Sequence, residues 1–145
     1  MIDLHMTRSL PCLLAALAAL LSACQPSPDP QTEAGFRDAR RVLETHCVHC
    51  HGDNRLSHMP PIHSTAALRR LIGVGNWIVP GQPAQSRFFQ VVTFADTVPG
   101  AMPPTGHAIP RRDVEVLRAW ITAGAPVPTG SEALLHPQGR RPRSE

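Results

Sequence analysis

The sequence has 145 residues, of which 42% are hydrophobic and 17% are charged, and its formal net charge is +3. This length allows one small domain, and a modest charge carried by arginines without a long basic block argues against a nucleic-acid-binding protein. Only six residues are aromatic, four Phe and two Trp, so the predicted core is either aliphatic or completed by a non-protein group.

The first predicted element is a secretory signal in residues 1–23. The basic start Met6–Arg8 precedes the apolar run Leu10–Leu21, and small residues follow. This is the order of a signal peptide. The run has 12 residues, whereas a membrane-spanning helix needs about 20. We therefore expect an exported protein.

A lipid-attachment site is predicted at the end of this signal. Leu21-Ser22-Ala23-Cys24 resembles the bacterial lipobox, in which cleavage leaves the cysteine first and its sulfur carries a diacylglycerol. The resemblance implies lipidation of Cys24 and anchoring on the periplasmic side of a bacterial membrane, and Gln25 in place of Asp favours the outer membrane. An ordinary cleavage site with an incidental cysteine is the alternative. The Pro-rich residues 24–33 predict an extended tether.

The next predicted element is a helix over Gln31–His46. Its apolar residues recur at intervals of three and four, which places them on one face: Phe36, Ala39, Val42 and Leu43. The C-terminal end of this helix leads directly into the segment Cys47-Val48-His49-Cys50-His51.

That segment carries the strongest chemical signal in the chain. Cys12 is removed with the signal and Cys24 is assigned to the lipid, which leaves Cys47 and Cys50. The pattern Cys-x-x-Cys-His is the attachment signature of c-type haem. Two thiols at this spacing can bond to the two vinyl groups on one edge of the porphyrin, and the next histidine can ligate the iron. We predict one covalent haem c, held by thioethers at Cys47 and Cys50, with His51 as the proximal ligand.

Other chemistries are open to the same cysteines. A disulfide is one alternative in an exported protein. A zinc site could use Cys47, Cys50, His58 and His63, but Cys50 and His58 lie closer together than in the usual finger, and His51 would have no role. A redox dithiol is expected within a strand–helix–strand unit, which the surrounding sequence does not predict.

Three further helices are predicted after the motif. The first begins at the N-cap Ser64 and ends at Gly73, the second covers Ala84–Phe94, and the third runs from Pro110 to Gly124. The third has the clearest apolar stripe, formed by Val114, Leu117, Trp120 and Ile121. No segment alternates as a strand would. The prediction is an all-α domain whose long loops wrap a flat cofactor.

The predicted distal iron ligand is Met102. It lies in the loop Val98–Gly106, where neighbouring prolines reduce the entropy that a weak thioether ligand would lose on binding. Met59 lies only eight residues after His51, and we expect it to pack or to be exposed. The histidine alternatives for the distal position are His58, His63 and His107.

Four segments point together to one family. They are Cys47-x-x-Cys50-His51-Gly52, Val79-Pro80-Gly81-Gln82-Pro83-x-x-Ser86, Met102-Pro103-Pro104 and Trp120-Ile121-x-x-Gly124-Ala125. Over residues 34–128 the chain resembles small monohaem c-type cytochromes of the class I fold. This resemblance implies a cytochrome c domain whose first and last helices cross near the haem. The family usually has a Gly and an aromatic shortly before the haem motif; here Gly35 and Phe36 lie further upstream, and Leu43 is expected to replace the aromatic.

The resemblance implies an electron carrier and not an enzyme. Such a protein passes single electrons between a redox protein donor and an acceptor, and it would contact the membrane through its lipid. Two alternatives share the haem: a dedicated cytochrome subunit of a membrane dehydrogenase or oxidase, and a haem sensor with a labile distal ligand.

Two predictions concern the periphery of the domain. Trp77 is a candidate haem contact, because its indole N–H could donate to a propionate, and Arg69 and Arg70 are alternatives for that role. Residues 129–145 are predicted to form a polar, mobile tail.

Overall fold

A computed structural model of the protein describes residues 30–53, 58–95, 97–104, 106–129 and 132–138. Its elements in chain order are α1 (Pro30–His46), α2 (Val48–His51), α3 (Thr65–Leu71), a 3-10 helix (Pro83–Gln85), α4 (Arg87–Thr93) and α5 (Arg111–Thr122). These residues form no strand; two isolated bridges pair Ser64 with Leu134 and Ile72 with Ile78. The all-α prediction is confirmed.

The core is built where α1 packs on α5, and α4 also packs on α5. The predicted apolar stripes are the buried faces: Phe36, Ala39, Val42 and Leu43 on α1, and Leu117, Trp120 and Ile121 on α5. Each set recurs at the 3.6-residue period of a helix. Apolar burial between the first and last helices therefore joins the two ends of the domain.

α3 begins where the sequence predicts. The Ser64 hydroxyl accepts the N–H of Ala67 at 3.2 Å, as an N-cap side chain does. The helix ends at Leu71, and Gly73 follows with φ +72, a left-handed conformation that glycine adopts without strain.

The helix predicted over Ala84–Phe94 is interrupted at Ser86. The Ser86 hydroxyl accepts the N–H of Val79 at 2.9 Å and donates to the carbonyl of Gln82 at 3.0 Å. These bonds hold Ser86 in an extended conformation between the 3-10 helix and α4. A serine side chain that bonds to backbone groups competes with helix continuation.

The structure also differs from the extended tether predicted over residues 24–33. α1 starts at Pro30, so residues 30–33 are helical and not extended. Proline is tolerated in the first turn of a helix, and Glu33 lies near the positive end of the helix dipole. The rest of the tether, the signal in residues 1–23 and Cys24 lie outside the described residues.

Residues 132–138, which belong to the predicted tail, lie against the domain and are called the C-terminal strap below. Leu135 is 3% exposed and belongs to the hydrophobic core. Its N–H donates to the carbonyl of His63 at 2.8 Å. The buried Leu135 side chain and main-chain hydrogen bonds attach this segment to the domain.

In the part of the chain that the structure describes, no helix combines the length and apolar character needed to cross a membrane.

Candidate functional site

The Cys-x-x-Cys-His motif forms a single helical turn at the end of α1. The N–H of Cys47 donates to Leu43 of α1 at 2.9 Å, so the first cysteine continues that helix. The carbonyl of Cys47 accepts the N–H groups of Cys50 at 3.1 Å and His51 at 3.0 Å. Cys47 and His51 are buried, whereas Cys50 is exposed. The turn therefore keeps both thiols and the imidazole within one short segment.

The His51 ring has a defined tautomer. Its Nδ1 atom lies 2.9 Å from the carbonyl oxygen of Pro60. Because a carbonyl oxygen only accepts, Nδ1 carries the hydrogen, and the lone pair of the neutral ring is on Nε2. Histidines that ligate metals usually donate their other ring N–H in this way.

Pro60, the partner of the His51 ring, carries no signal in the sequence. Within Met59-Pro60-Pro61 only the methionine is a candidate ligand by residue type. The contact of Pro60 with His51 uses the backbone carbonyl, which any residue has, so no side-chain pattern marks it. A second hydrogen bond holds Pro60 and its neighbours beside His51, because the N–H of Ile62 donates to the carbonyl of His51 at 2.9 Å.

The environment of Cys47 disfavours thiol chemistry in the folded chain. Burial, together with the neighbouring Cys50, raises the pKa of the Cys47 thiol to about 12. Disulfide exchange uses the thiolate, so a thiol that stays protonated near neutral pH is poorly suited to a redox dithiol.

The histidines proposed for a zinc site do not join the cysteines. Over the described residues, no three His, Cys, Asp or Glu side chains come together as metal ligands. His58 is exposed, and Nε2 of His63 lies 3.6 Å from the Asp53 carboxylate. His107, which was predicted with His58 and His63 as an alternative distal iron ligand, is exposed.

Met102 lies half-buried against the core in an open cavity of about 290 Å³. Its N–H donates to the carbonyl of Val91 in α4 at 2.8 Å, which fixes this loop on the helix. The cavity lining is mainly apolar and includes Val92, Met102, Ile109, Arg111 and Val114. Met59, the other methionine considered, is also half-buried.

The first turn of α5 borders both parts of the candidate site. Asp113 accepts a hydrogen bond from Nε2 of His46 at 3.0 Å, and His46 directly precedes Cys47. Arg111 and Val114, in the same turn, line the cavity that contains Met102. Packing of α1 on α5 thus brings the cysteine motif and the Met102 cavity to one end of α5.

The residues predicted as candidates for propionate contact lie on α3 and in the loop that follows it. Trp77 is 38% exposed in the loop after α3, and its carbonyl accepts the N–H of Phe88 at 3.0 Å. Arg69 donates to the carbonyl of Pro128, and Arg70 is exposed. The buried tryptophan is Trp120, whose indole N–H donates to Pro126 at 2.9 Å.

Comparison of the sequence with protein-family models, with curated proteins and with solved structures gave no match.

Proposed function

We propose that the chain is a monohaem c-type cytochrome that transfers single electrons and is anchored to a bacterial membrane by a lipid on Cys24. The observation that carries this proposal is the hydrogen bond from Nδ1 of His51 to Pro60, made within a Cys-x-x-Cys-His turn. It fixes the proximal imidazole and directs its free electron pair to Nε2, as an iron ligand requires. The zinc set of Cys47, Cys50, His58 and His63 leaves His51 without a role.

The residues present fit a covalent haem. Cys47 and Cys50 would form the thioethers, His51 would be the proximal ligand and Met102 the distal one. When bound, the haem supplies reversible exchange between ferrous and ferric iron. The chain orients the imidazole through Pro60, keeps His51 out of water and offers a thioether, which raises the reduction potential relative to a second imidazole.

The shape of the domain is consistent with a cofactor in its core. Its loops are long for a chain of this size, and α2, α3 and α4 are short, with four, seven and seven residues. The apolar cavity at Met102 adds surface that a porphyrin could cover. These features support the proposed cytochrome c fold of residues 34–128.

The test is expression of the full chain with cytochrome c maturation machinery. The alkaline pyridine spectrum of the product should be that of a haem with two thioether bonds, and the mass should increase by one haem. Cys47→Ala and Cys50→Ala should each lose one thioether. His49→Ala is the matched control, because His49 lies between the two cysteines, is exposed and has no proposed role. A colourless wild-type product would contradict the proposal.

Thiol titration of the denatured, mature protein separates haem attachment from the dithiol alternative. With Cys47 and Cys50 in thioethers and Cys24 in the lipid, we expect no reactive thiol. A dithiol protein would expose two after reduction.

A second candidate, the dedicated subunit of a membrane redox complex, is favoured by exposed apolar residues near Met102. Phe94 is 37% exposed and Val98 is 42% exposed, and both belong to the connection between α4 and Met102. A photo-crosslinking residue at position 94 should capture one membrane enzyme if the protein is its subunit. Capture of several soluble redox proteins would favour a diffusing carrier.

A further inference from the structure

We propose that the C-terminal strap is a positioning element for the proximal imidazole. The strap, residues 132–138, bonds to the chain on both sides of the Cys-x-x-Cys-His turn. It thereby holds the loop that supplies the Pro60 carbonyl to His51. This inference rests on the proposed function, since it concerns the ligand geometry of a haem protein.

Before the turn, the strap is bonded to Glu44, in the last turn of α1. The carboxylate accepts the N–H of His136 at 3.2 Å and the side-chain amide of Gln138 at 3.3 Å, and Arg40 donates to it at 2.9 Å. The main-chain carbonyl of Glu44 accepts the N–H of Gln138 at 2.9 Å. Glu44 is only 7% exposed, and hydrogen bonds to a buried charged group are among the stronger ones.

After the turn, the strap is bonded to the segment that leads into α3. Leu135 donates its N–H to the carbonyl of His63 at 2.8 Å. Ala133 and Thr65 form a reciprocal pair, in which the N–H of Thr65 donates to Ala133 at 3.0 Å and the N–H of Ala133 donates to the Thr65 hydroxyl at 3.1 Å. The Leu135 side chain is buried in the core beneath these bonds.

The loop between these contacts is bonded to His51 itself. Pro60 accepts the ring N–H of His51, and the N–H of Ile62 donates to the His51 carbonyl. The neighbouring His63 is the residue that the strap bonds. Residues 60–63 are thus bonded to the proximal histidine at Pro60 and Ile62, and to the strap at His63. Loosening the strap should let the Pro60 carbonyl move away, so that the imidazole loses its orienting bond.

This role differs from a general contribution to stability. A strap that only stabilises the domain would affect all protected groups together through global unfolding. A strap that positions His51 would specifically affect opening of the bond between Nδ1 and Pro60. Glu44 and Leu135 are then positioning residues, because they act on the imidazole through the loop.

The experiment measures exchange of the His51 ring proton with solvent by NMR in the reduced holoprotein. The Leu117 amide, in the buried part of α5, is the internal reference for global opening. In Glu44→Gln and in Leu135→Ala, exchange at His51 should accelerate at least tenfold more than exchange at Leu117. Leu135→Met, which keeps the apolar volume, should restore the wild-type rate. The matched control is Glu115→Gln, which alters an exposed carboxylate 3.0 Å from Arg118.

Equal acceleration at both sites, or no acceleration in either variant, would overturn the inference. If Leu135→Ala does not yield folded protein, Glu44→Gln alone decides, because it preserves the size of the side chain. The spectrum of the wild-type protein with pyridine is recorded first. Absence of haem there refutes the proposed function, whereas a haem protein with an unaffected ring proton refutes only the role of the strap.

Discussion

Met102 is the residue whose replacement should change the redox chemistry most directly. Met102→Ala should abolish the far-red charge-transfer band from sulfur to ferric iron. Met102→His should keep the iron six-coordinate but lower the potential, by on the order of 0.2 V within the span of about 0.8 V that axial ligands set. Visible spectra and redox titrations measure both effects. Met59→Ala is the control; loss of the band there, and not in Met102→Ala, would contradict the assignment.

The two cysteines should differ in reactivity before haem attachment. Burial raises the pKa of the Cys47 thiol from 9.0 to about 12, so very little thiolate is present at pH 8. Cys50 is exposed. In the folded, haem-free chain we expect iodoacetamide to label Cys50 at least tenfold faster than Cys47, with Cys50→Ser and Cys47→Ser separating the two rates. Labelling is followed by mass spectrometry, and urea should remove the difference.

The same pKa gives a pH dependence of stability. The folded haem-free chain holds the Cys47 proton more tightly than the unfolded chain does. This contribution to stability is therefore complete below pH 9 and is lost as the pH rises towards 12. Cys47→Ala should remove the dependence, and so should conversion of the thiol to a thioether.

At the scale of elements, the contact between α1 and α5 has a polar component at one end. His46 and Asp113 are 3.0 Å apart and mostly buried, and Asp113 also lies at the positive end of the α5 dipole. Asp113→Asn should lower the free energy of unfolding by about 1–2 kcal/mol in urea titrations. Asp38→Asn is the matched control on an exposed pair with Arg41, where about 0–0.5 kcal/mol is expected. Equal losses would show that burial of the pair has no effect.

The helices could be predicted because their information is local. The stripes of α1 and α5 follow from apolar spacing, and the start of α3 follows from Ser64 placed three residues before the N–H that it caps. The break at Ser86 could not be predicted in the same way. It depends on a hydroxyl that reaches back seven residues to Val79, which requires the intervening turn to be known.

In the candidate site, too, the residues marked by local sequence could be predicted and those that depend on distant contacts could not. The roles of Cys47, Cys50 and His51 could be predicted because the haem-attachment pattern is defined by the spacing of these residues in the sequence. Pro60 was missed because the bond from His51 uses a backbone carbonyl and a chain reversal, and neither leaves a side-chain signature. The strap was missed because Leu135, which is buried, directly follows the exposed Leu134, and the pair gives no apolar periodicity.

At the scale of the whole molecule, the described domain is larger than the region that carries the family resemblance. α1 begins at Pro30 and the strap reaches residue 138, whereas the resemblance covers residues 34–128. The strap, which lies outside the region of resemblance, is bonded to Glu44, three residues before Cys47. Truncations meant to isolate the proposed cytochrome domain should therefore retain residues 132–138.

Attachment to the membrane is a property of the whole molecule and should depend on Cys24, which lies outside the described residues. Each buried methylene contributes about 0.8 kcal/mol and these contributions add along every acyl chain, whereas a basic residue near an anionic surface contributes only about 1 kcal/mol. The lipid should therefore hold the protein in 1 M salt, where charges more than about 3 Å apart are largely screened. Cys24→Ala should move the protein to the soluble fraction, as immunoblots of salt-washed membranes would detect.

The matched control replaces Arg140, Arg141 and Arg143 by Ala and leaves Cys24 intact. This variant should stay in the membrane fraction, because it removes only the weaker, screened contribution. If Cys24→Ala, with residues 1–23 shown by mass to be removed, also stays there after the salt wash, the anchor is not the lipid, and a protein partner must hold the domain at the membrane. That result would favour the subunit of a redox complex over a separately anchored electron carrier.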